Sequence, residues 1–371
     1  MKRIIKAAMP LFIFLIFTFS SHAQEDFGQD ELMDALPEGA RDMLYGSGIT
    51  PDNAGALNLS PFAVIRGLWD LFIQELTQPL RMLAALVGVI LLCAVAETLR
   101  DSAGGDNPNR ASDAFAVVGV LAGAGLMIMY VSDIVVRATG ALNAGGTFLL
   151  TFVPVFAGIM AVTGQLTTAS VFSVSLITAG QVFTYITSAF LTPLTSCILG
   201  ISAAGAVNPD LKADALAEMI KKLVIWTLGL LVTLFTGLLS LQSFISSSAD
   251  TVAMRAMKFT VSSSVPFVGG AVSDALAAVR GSINLVRNST GTFGIIAGIA
   301  IIAPTLVSVF CHKIALGIAA AVSGVFGLRQ LSSLLKSGES VMGIIFALLF
   351  CFTLIVIISV GFMLMIWNGG V

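Results

Sequence analysis

The polar side chains with the greatest potential for chemistry lie in one otherwise apolar stretch, between Ser262 and Gly294. A charged group at membrane depth costs at least ~2.5–3.5 kcal/mol, so it is tolerated where it faces a protein interior or a water-filled path. We therefore interpret the stretch as the lining of a conduit or as a docking surface for a partner protein. The candidate residues for that role are Pro266, Asp274, Arg280, Arg287 and Asn288.

A structural interpretation of the same stretch is the alternative. It would form a tilted helix at the membrane interface, with Arg280 and Arg287 extending their guanidinium groups to lipid headgroups. Arg280 follows Asp274 by six residues, about 600° of helical rotation, so the two side chains point about 120° apart and do not pair. Asp274 then needs another cation, a water-lined path or a partner protein.

The remaining residues with catalytic or ligand chemistry form no recognisable constellation. His22 lies in a predicted signal peptide, and His312, beside Lys313 at the expected end of a span, is interpreted as an interfacial residue. Neither a nucleophile motif nor a metal or phosphate motif is present, so the sequence predicts no enzyme and no cofactor. Each cysteine lies in an apolar stretch and is expected to be a small buried hydrophobe. The cysteines are Cys93, Cys197, Cys311 and Cys351.

The elements that position these residues must be membrane helices. Hydrophobic residues make up 57% of the 371 and charged residues only 11%, and the mean hydropathy is +0.97. A soluble domain carries about 25% charged residues, so this chain cannot cover itself in water and needs the lipid bilayer as a partner. The net charge of −2 and the absence of a basic run argue against nucleic acid as a partner. The predicted fold class is an all-α polytopic integral membrane protein.

Residues 1–23 are predicted to be a cleavable signal peptide. An apolar run from Pro10 to Phe19 follows a basic start, and small residues precede the cleavage point expected between Ala23 and Gln24. The basic residues of the start are Lys2, Arg3 and Lys6. An uncleaved first span is the alternative, although the apolar run is shorter than the ~20 residues that a span needs.

Residues 24–80 form an acidic segment that the signal peptide would export. It contains two amphipathic patterns, and the second begins after the helix start signal Ser60-Pro61. We expect this second helix to lie in the membrane interface with Trp69 as an anchor; a packed helix of a small external domain is the alternative. The apolar positions of the two patterns are Leu32, Leu36, Met43 and Leu44, then Phe62, Ile65, Trp69, Phe72 and Leu76.

The membrane part is predicted to hold two transmembrane helices in residues 81–131, followed by two repeats, 132–248 and 249–371. Similar short stretches recur in the same order in both repeats, which suggests an internal duplication. The matched pairs are 132–138 with 249–256, 153–158 with 265–270, and 199–204 with 316–321. Each repeat would hold four segments: 147–163, 170–191, 193–207 and 223–243, then 265–280, 293–311, 314–327 and 341–367.

The distribution of Lys and Arg among the expected loops predicts the orientation. With residues 24–80 outside, the amphipathic helix 208–222 and the loop 281–292 fall inside, together with most of the basic loop residues. The basic residues left outside are Arg137, Arg255, Lys258 and Lys313. Some segments are short for a ~30 Å hydrocarbon core. If one segment of each repeat is re-entrant, the two copies become inverted, as in many secondary transporters.

The layout and one block of residues resemble the stage III sporulation protein AE family. The block consists of Pro266-Phe267-Val268-Gly269, Ser273-Asp274 and Asn288-Ser289-Thr290-Gly291-Thr292-Phe293-Gly294. The resemblance implies a mother-cell membrane protein of endospore-forming bacteria, in an apparatus that links mother cell and engulfed forespore. It further implies a channel or feeding conduit that supports late forespore gene expression. The implied partners are other membrane proteins of that complex and a separate cytoplasmic ATPase.

Two functions of other classes stay open at the level of sequence. A stand-alone secondary transporter would bind a small solute at the repeat interface, and a membrane scaffold would only recruit partners. A transporter should place ionisable residues at mid-bilayer in broken helices. The early spans carry almost no charge, which favours a channel or a scaffold.

Overall fold

A computed structural model describes residues 29–56, 61–102, 110–186, 189, 192–207, 213–264 and 269–365. Over these residues the chain is helical and contains no strand, which confirms the all-α fold class. The signal peptide, its cleavage site at Ala23 and Gln24, and Pro266 lie outside the described residues.

Ten α-helices and one short 3-10 helix make up the described part. Two small helices come first, α1 (Gln29–Asp34) and α2 (Glu38–Gly46), followed by the 3-10 helix Ala54–Ala56. The others are α3 (Pro61–Glu75), α4 (Thr77–Ser102), α5 (Arg110–Val162), α6 (Leu166–Ile186), α7 (Thr192–Val207), α8 (Ala213–Ser264), α9 (Gly269–Val325) and α10 (Arg329–Met365).

Five of the described helical segments are long and apolar enough to cross a membrane, which confirms a multi-pass membrane protein. They are Trp69–Thr98, Val118–Val162, Ala215–Ala256, Ile283–Val325 and Arg329–Leu364. The prediction of a helix starting at Ser60-Pro61 is confirmed by α3, and α4 is the helix at the place of the first predicted transmembrane helix.

The helices are fewer and longer than the sequence predicts. The second transmembrane helix expected in residues 81–131 and the expected segment 147–163 both fall in α5, and the segments 293–311 and 314–327 both fall in α9. The helix expected to end at Lys222 continues as α8 to Ser264. Separate spans at these places are therefore wrong, whereas the division into two repeats stays a prediction.

Charged residues that the sequence analysis assigns to loops lie within helices and stabilise them. Asp133 and Arg137, expected outside the membrane in a loop, form an i,i+4 ion pair of 3.0 Å on α5. Glu218 and Lys222 do the same at 3.2 Å on α8. Such pairs stabilise a helix, and no Gly-Pro or Asn-Gly signal interrupts the chain there.

One bilayer cannot cover the whole length of these helices. The 53 residues of α5 rise about 80 Å, against a hydrocarbon core of about 30 Å. Residues 138–162, beyond the ion pair Asp133–Arg137, carry no charge and rise about 37 Å. This upper part of α5 is long enough to cross the bilayer, with the ion pair at its border.

The long helices form an antiparallel bundle with two distinct ends. A Cβ at Gly298 of α9 would lie 3.0 Å from Val356 of α10, and one at Gly317 would lie 3.5 Å from Glu339, so α9 and α10 run in opposite directions. The turn at Gly327, with φ of 78°, joins them at what we call the hairpin end. The turn at Gly164, with φ of 88°, joins α5 to α6 at the opposite end, which we call the cap end.

The N-terminal segment 29–56 covers the cap end. Its buried side chains include Leu32, Leu36 and Leu44, as the first amphipathic pattern predicts. The pattern is divided between two short helices because Pro37 precedes α2. Arg41 of α2 closes the gap by donating to the carbonyl oxygens of Met33 (3.1 Å) and Asp34 (2.9 Å).

Candidate functional site

The predicted site residues Arg287 and Asn288 are adjacent on α9 but face opposite environments. The Arg287 side chain is fully buried in the bundle, and its Nη2 donates to the backbone carbonyl of Met363 on α10. Asn288 is exposed. Arg287 thus lies in a protein interior, whereas its role in a conduit or a docking surface stays a prediction. The alternative, in which Arg287 extends to lipid headgroups, is wrong.

The other predicted site residues do not join Arg287. Asp274 and Arg280 lie on the same continuous helix, so the helical rise separates them from Arg287 by about 20 Å and about 10 Å along the axis. Both positions lie further toward the cap end. Their side chains are outside the described part of the structure. The candidate residues therefore do not form one compact cluster.

Ser289, which the sequence analysis names only as part of the family block, connects α9 to the N-terminal segment. Its Oγ donates to the carbonyl oxygen of Asp52 (2.7 Å) and accepts from the backbone N–H of Gly55 (3.1 Å). A Cβ at Gly55 would lie 2.8 Å from Cα of Ser289, so only glycine permits this approach. The segment 281–292 is helical, so the expectation of a loop is wrong. It lies on the same side as residues 52–55, so it cannot lie inside if the N-terminal segment is outside.

A buried polar face runs along α9. Arg287, Thr290, Ser308 and His312 follow one another at multiples of the helical repeat, and each is at most 1% exposed. We call these four residues the polar face of α9. Between Thr290 and Ser308 the same face carries small residues, notably Gly294 and Gly298.

His312 lies within α9 rather than at a helix end, because α9 continues for more than three turns beyond it. It is 1% exposed, and its Nδ1 is 2.8 Å from the carbonyl oxygen of Ser308. Glu75, Asp133 and Arg137 are close enough to interact with it electrostatically. Since the ion pair Asp133–Arg137 lies at the border of the upper part of α5, the position of His312 near the end of a span stays a prediction.

Three stacked phenylalanines on α5 cover the small residues of α9. Phe148, Phe152 and Phe156 lie on successive turns with ring centroids 5.6 Å and 5.4 Å apart, and all are buried. A Cβ at Gly294 would overlap the ring of Phe152, and one at Gly291 would lie 3.1 Å from the ring of Phe156. The glycines of α9 therefore form the groove in which these rings sit.

Asp250 on α8 caps the N-terminal end of α6. Its Oδ1 and Oδ2 accept from the backbone N–H groups of Thr167 and Thr168, each at 2.9 Å. The first N–H groups of a helix have no partner within the helix, and a carboxylate there also suits the helix dipole. The sequence marks Asp250 only as a member of the stretch 249–256, which matches 132–138. Its role as a helix cap depends on the distant helix α6 and could not be predicted from that stretch alone.

No cluster of three or more metal-ligating side chains occurs in the described part of the chain. The arrangement is that of a membrane-spanning bundle with polar groups inside.

Comparison with known proteins decides the family. The family description "Stage III sporulation protein AE" matches residues 49–366, most of the chain. The chain belongs to the stage III sporulation protein AE family. A relative of that name from Bacillus subtilis (strain 168) is 22% identical over 316 residues, covering 83% of this chain and 78% of the relative. No solved structure matches.

Membership in the stage III sporulation protein AE family confirms the resemblance seen in the sequence and supports a role in sporulation for this multi-pass membrane protein. The family is not a known enzyme family. The block that carried the resemblance includes Ser289, Thr290 and Gly294. Ser289 contacts the N-terminal segment, Thr290 belongs to the polar face of α9, and Gly294 lies against the ring of Phe152.

Proposed function

We propose that this chain is a membrane subunit of a sporulation-specific channel or export complex that links mother cell and forespore. In this role it supports late gene expression in the forespore. The cell membrane that holds it would be the mother-cell membrane facing the forespore. Family membership supplies the sporulation role, and the interior of the bundle supports the conduit.

The observation that carries the proposal is the buried polar face of α9. A membrane anchor or scaffold gains nothing from a guanidinium group in its core, since the burial of a charged group away from water costs several kcal/mol and Leu or Met there would avoid that cost. Arg287 is nevertheless fully buried, with Thr290 beside it and Ser308 and His312 further along. Buried ionisable residues inside membrane helices mark paths for ions or substrates more often than they mark structure.

A stand-alone transporter receives less support. Its site would be expected at half-helix ends near mid-bilayer. Here α9 runs unbroken past Arg287, Ser308 and His312, and Pro304 within it does not interrupt the helix. A subunit acting with others needs no broken helix.

The proposed partners are other membrane proteins of the complex and a separate cytoplasmic ATPase. If the signal peptide exports the N-terminal segment, the cap end faces the space between the two cells and the hairpin end faces the cytoplasm. The ATPase would then bind at the hairpin end, around Gly327. Asp274 and Arg280 remain candidates for docking an extracytoplasmic partner because α9 carries them beyond Arg287 toward the cap end.

Spore yield in an endospore-forming host tests the proposal. Arg287→Met keeps an unbranched apolar chain, so we expect normal abundance in the membrane but at least a tenfold loss of heat-resistant spores. Arg329→Met is the matched control, because Arg329 is exposed at the start of α10. Wild-type spore yield from Arg287→Met at normal abundance would contradict a functional polar interior.

A further inference from the structure

The polar face of α9 contains hydroxyl groups that make no bond within the described protein. Oγ1 of Thr290 and Oγ of Ser308 are buried and have no hydrogen-bond partner among the described residues. Oγ of Ser359 on α10 is also buried and has no hydrogen-bond partner among the described residues. Elsewhere in the helices the hydroxyls of Ser and Thr usually donate to the carbonyl four residues earlier, as those of Thr139 and Thr353 do.

The hydroxyls of Thr290 and Ser359 lie in the same region of the contact between α9 and α10. Ser359 lies three residues after Val356 and four before Met363, and both of these neighbours touch α9, at Gly298 and at Arg287. Ser359 therefore points toward α9 near Thr290. A buried polar atom without a partner destabilises the folded protein, and a polar site with several such atoms is normally hydrated.

The aromatic residues divide this face into two parts. Thr290 and Ser308 are separated by about 27 Å of helix, and Gly294 lies between them. Phe152 sits on Gly294, and its stacked neighbours Phe148 and Phe156 extend the apolar surface in both directions. These rings therefore form an apolar barrier between Thr290 and Ser308.

From this geometry, we propose that the polar face of α9 is a water-filled path for small ions, closed by Phe152 on Gly294. The proposal rests on the conduit function above and specifies where this subunit opens and closes. A narrow apolar constriction stops ions because it expels water, and a displacement of the rings restores the passage. The fixed positive charge of Arg287 at the cap end favours small anions over cations.

Cysteine accessibility tests the path without an assay of function. In a chain with its four native cysteines replaced, Thr290→Cys and Ser308→Cys are nearly isosteric changes. We expect a small water-soluble thiol reagent to modify Thr290→Cys from the cap side and Ser308→Cys from the hairpin side. Val309→Cys, equally buried next to Ser308, should stay unmodified. If Thr290→Cys and Ser308→Cys are as unreactive as Val309→Cys, the face is dry and the path does not exist.

A second variant tests the closure. Phe152→Ala should make both cysteines reachable from either side and raise chloride flux in proteoliposomes at least tenfold over the wild-type chain, with a smaller rise for potassium. Phe244→Ala removes a ring that is 77% exposed on α8 and should leave both readouts unchanged. Hydrated cysteines with no effect of Phe152→Ala would overturn the gate. A dry face combined with a spore defect in Arg287→Met would overturn the path alone and leave the proposed complex in place.

Discussion

Ser289 donates a hydrogen bond of 2.7 Å to the carbonyl oxygen of Asp52, a residue 237 positions earlier in the chain. The two residues therefore lie on the same side of the membrane. The positive-inside distribution places residue 289 opposite to the N-terminal segment, because it counts α5 as two spans, the 16-residue helix α7 as a span, and the part of α9 before residue 289 as a span. With α5 counted once and neither of the other two counted, an even number of crossings precedes residue 289, and the contact and the topology agree.

Topology can be measured by labelling single cysteines in a cysteine-free chain. We expect Tyr45→Cys and Asn288→Cys, both exposed, to react from the same side of intact membranes. Met219→Cys lies 31 residues, about 46 Å of helix, before Asp250 at the cap end and should react from the other side. Labelling of Asn288→Cys and Met219→Cys from one side would contradict the bundle.

The contact between Gly55 and Ser289 should hold the N-terminal segment on the bundle. Gly55→Ala places a Cβ 2.8 Å from backbone of α9, so it should release residues 29–56 and increase their cleavage by a protease severalfold. Gly39→Ala is the control, since a Cβ there meets nothing within 4 Å. Equal cleavage of the two variants would show that the segment is not held at this point.

Asp250 should stabilise the start of α6. Asp250→Ala removes the acceptor of two backbone N–H groups, and the loss of a helix cap costs about 0.5–2 kcal/mol. In detergent we expect a Tm several degrees lower than that of the wild-type chain. Asp133→Ala, which removes only a partly exposed ion pair with Arg137, should change the Tm much less. A smaller effect of Asp250→Ala than of Asp133→Ala would refute the cap.

The contact between the Phe152 ring and Gly294 predicts that a smaller side chain at position 152 compensates for a larger one at position 294. Gly294→Ala introduces a methyl group into the space of the ring and should lower the abundance of folded protein in the membrane. The double variant with Phe152→Leu should recover most of that loss, because the smaller side chain makes room. Gly229→Ala, at an exposed position with nothing within 4 Å, should have no effect. Additive losses in the double variant would contradict the contact.

The fold class could be predicted because composition alone decides between water and lipid as the solvent. The buried arginine could also be anticipated, since the cost of a charge at membrane depth implies a protein interior or a wet path. Helix boundaries in the middle of α5 and α9 could not, because a charged pair four residues apart supports a helix as well as it marks a loop.

Contacts between residues that are far apart in the chain could not be predicted from the sequence, for a different reason. Nothing in the local pattern shows that Asp250 meets the start of α6 or that Gly55 meets Ser289, since both depend on how helices pack. The small residues of α9 were visible, but a chain with 36 glycines offers many such groups. The structure distinguishes Gly294 from other glycines of the chain by its contact with the ring of Phe152.

Late gene expression in the forespore is the most direct measurement of the proposed function. Fluorescent reporters for an early and a late forespore gene would be followed after engulfment in cells with Arg287→Met or Arg329→Met at matched membrane abundance. We expect normal early expression in both, normal late expression with Arg329→Met, and loss of late expression with Arg287→Met. Late expression at the wild-type level with Arg287→Met would contradict a conduit built on the polar interior of α9.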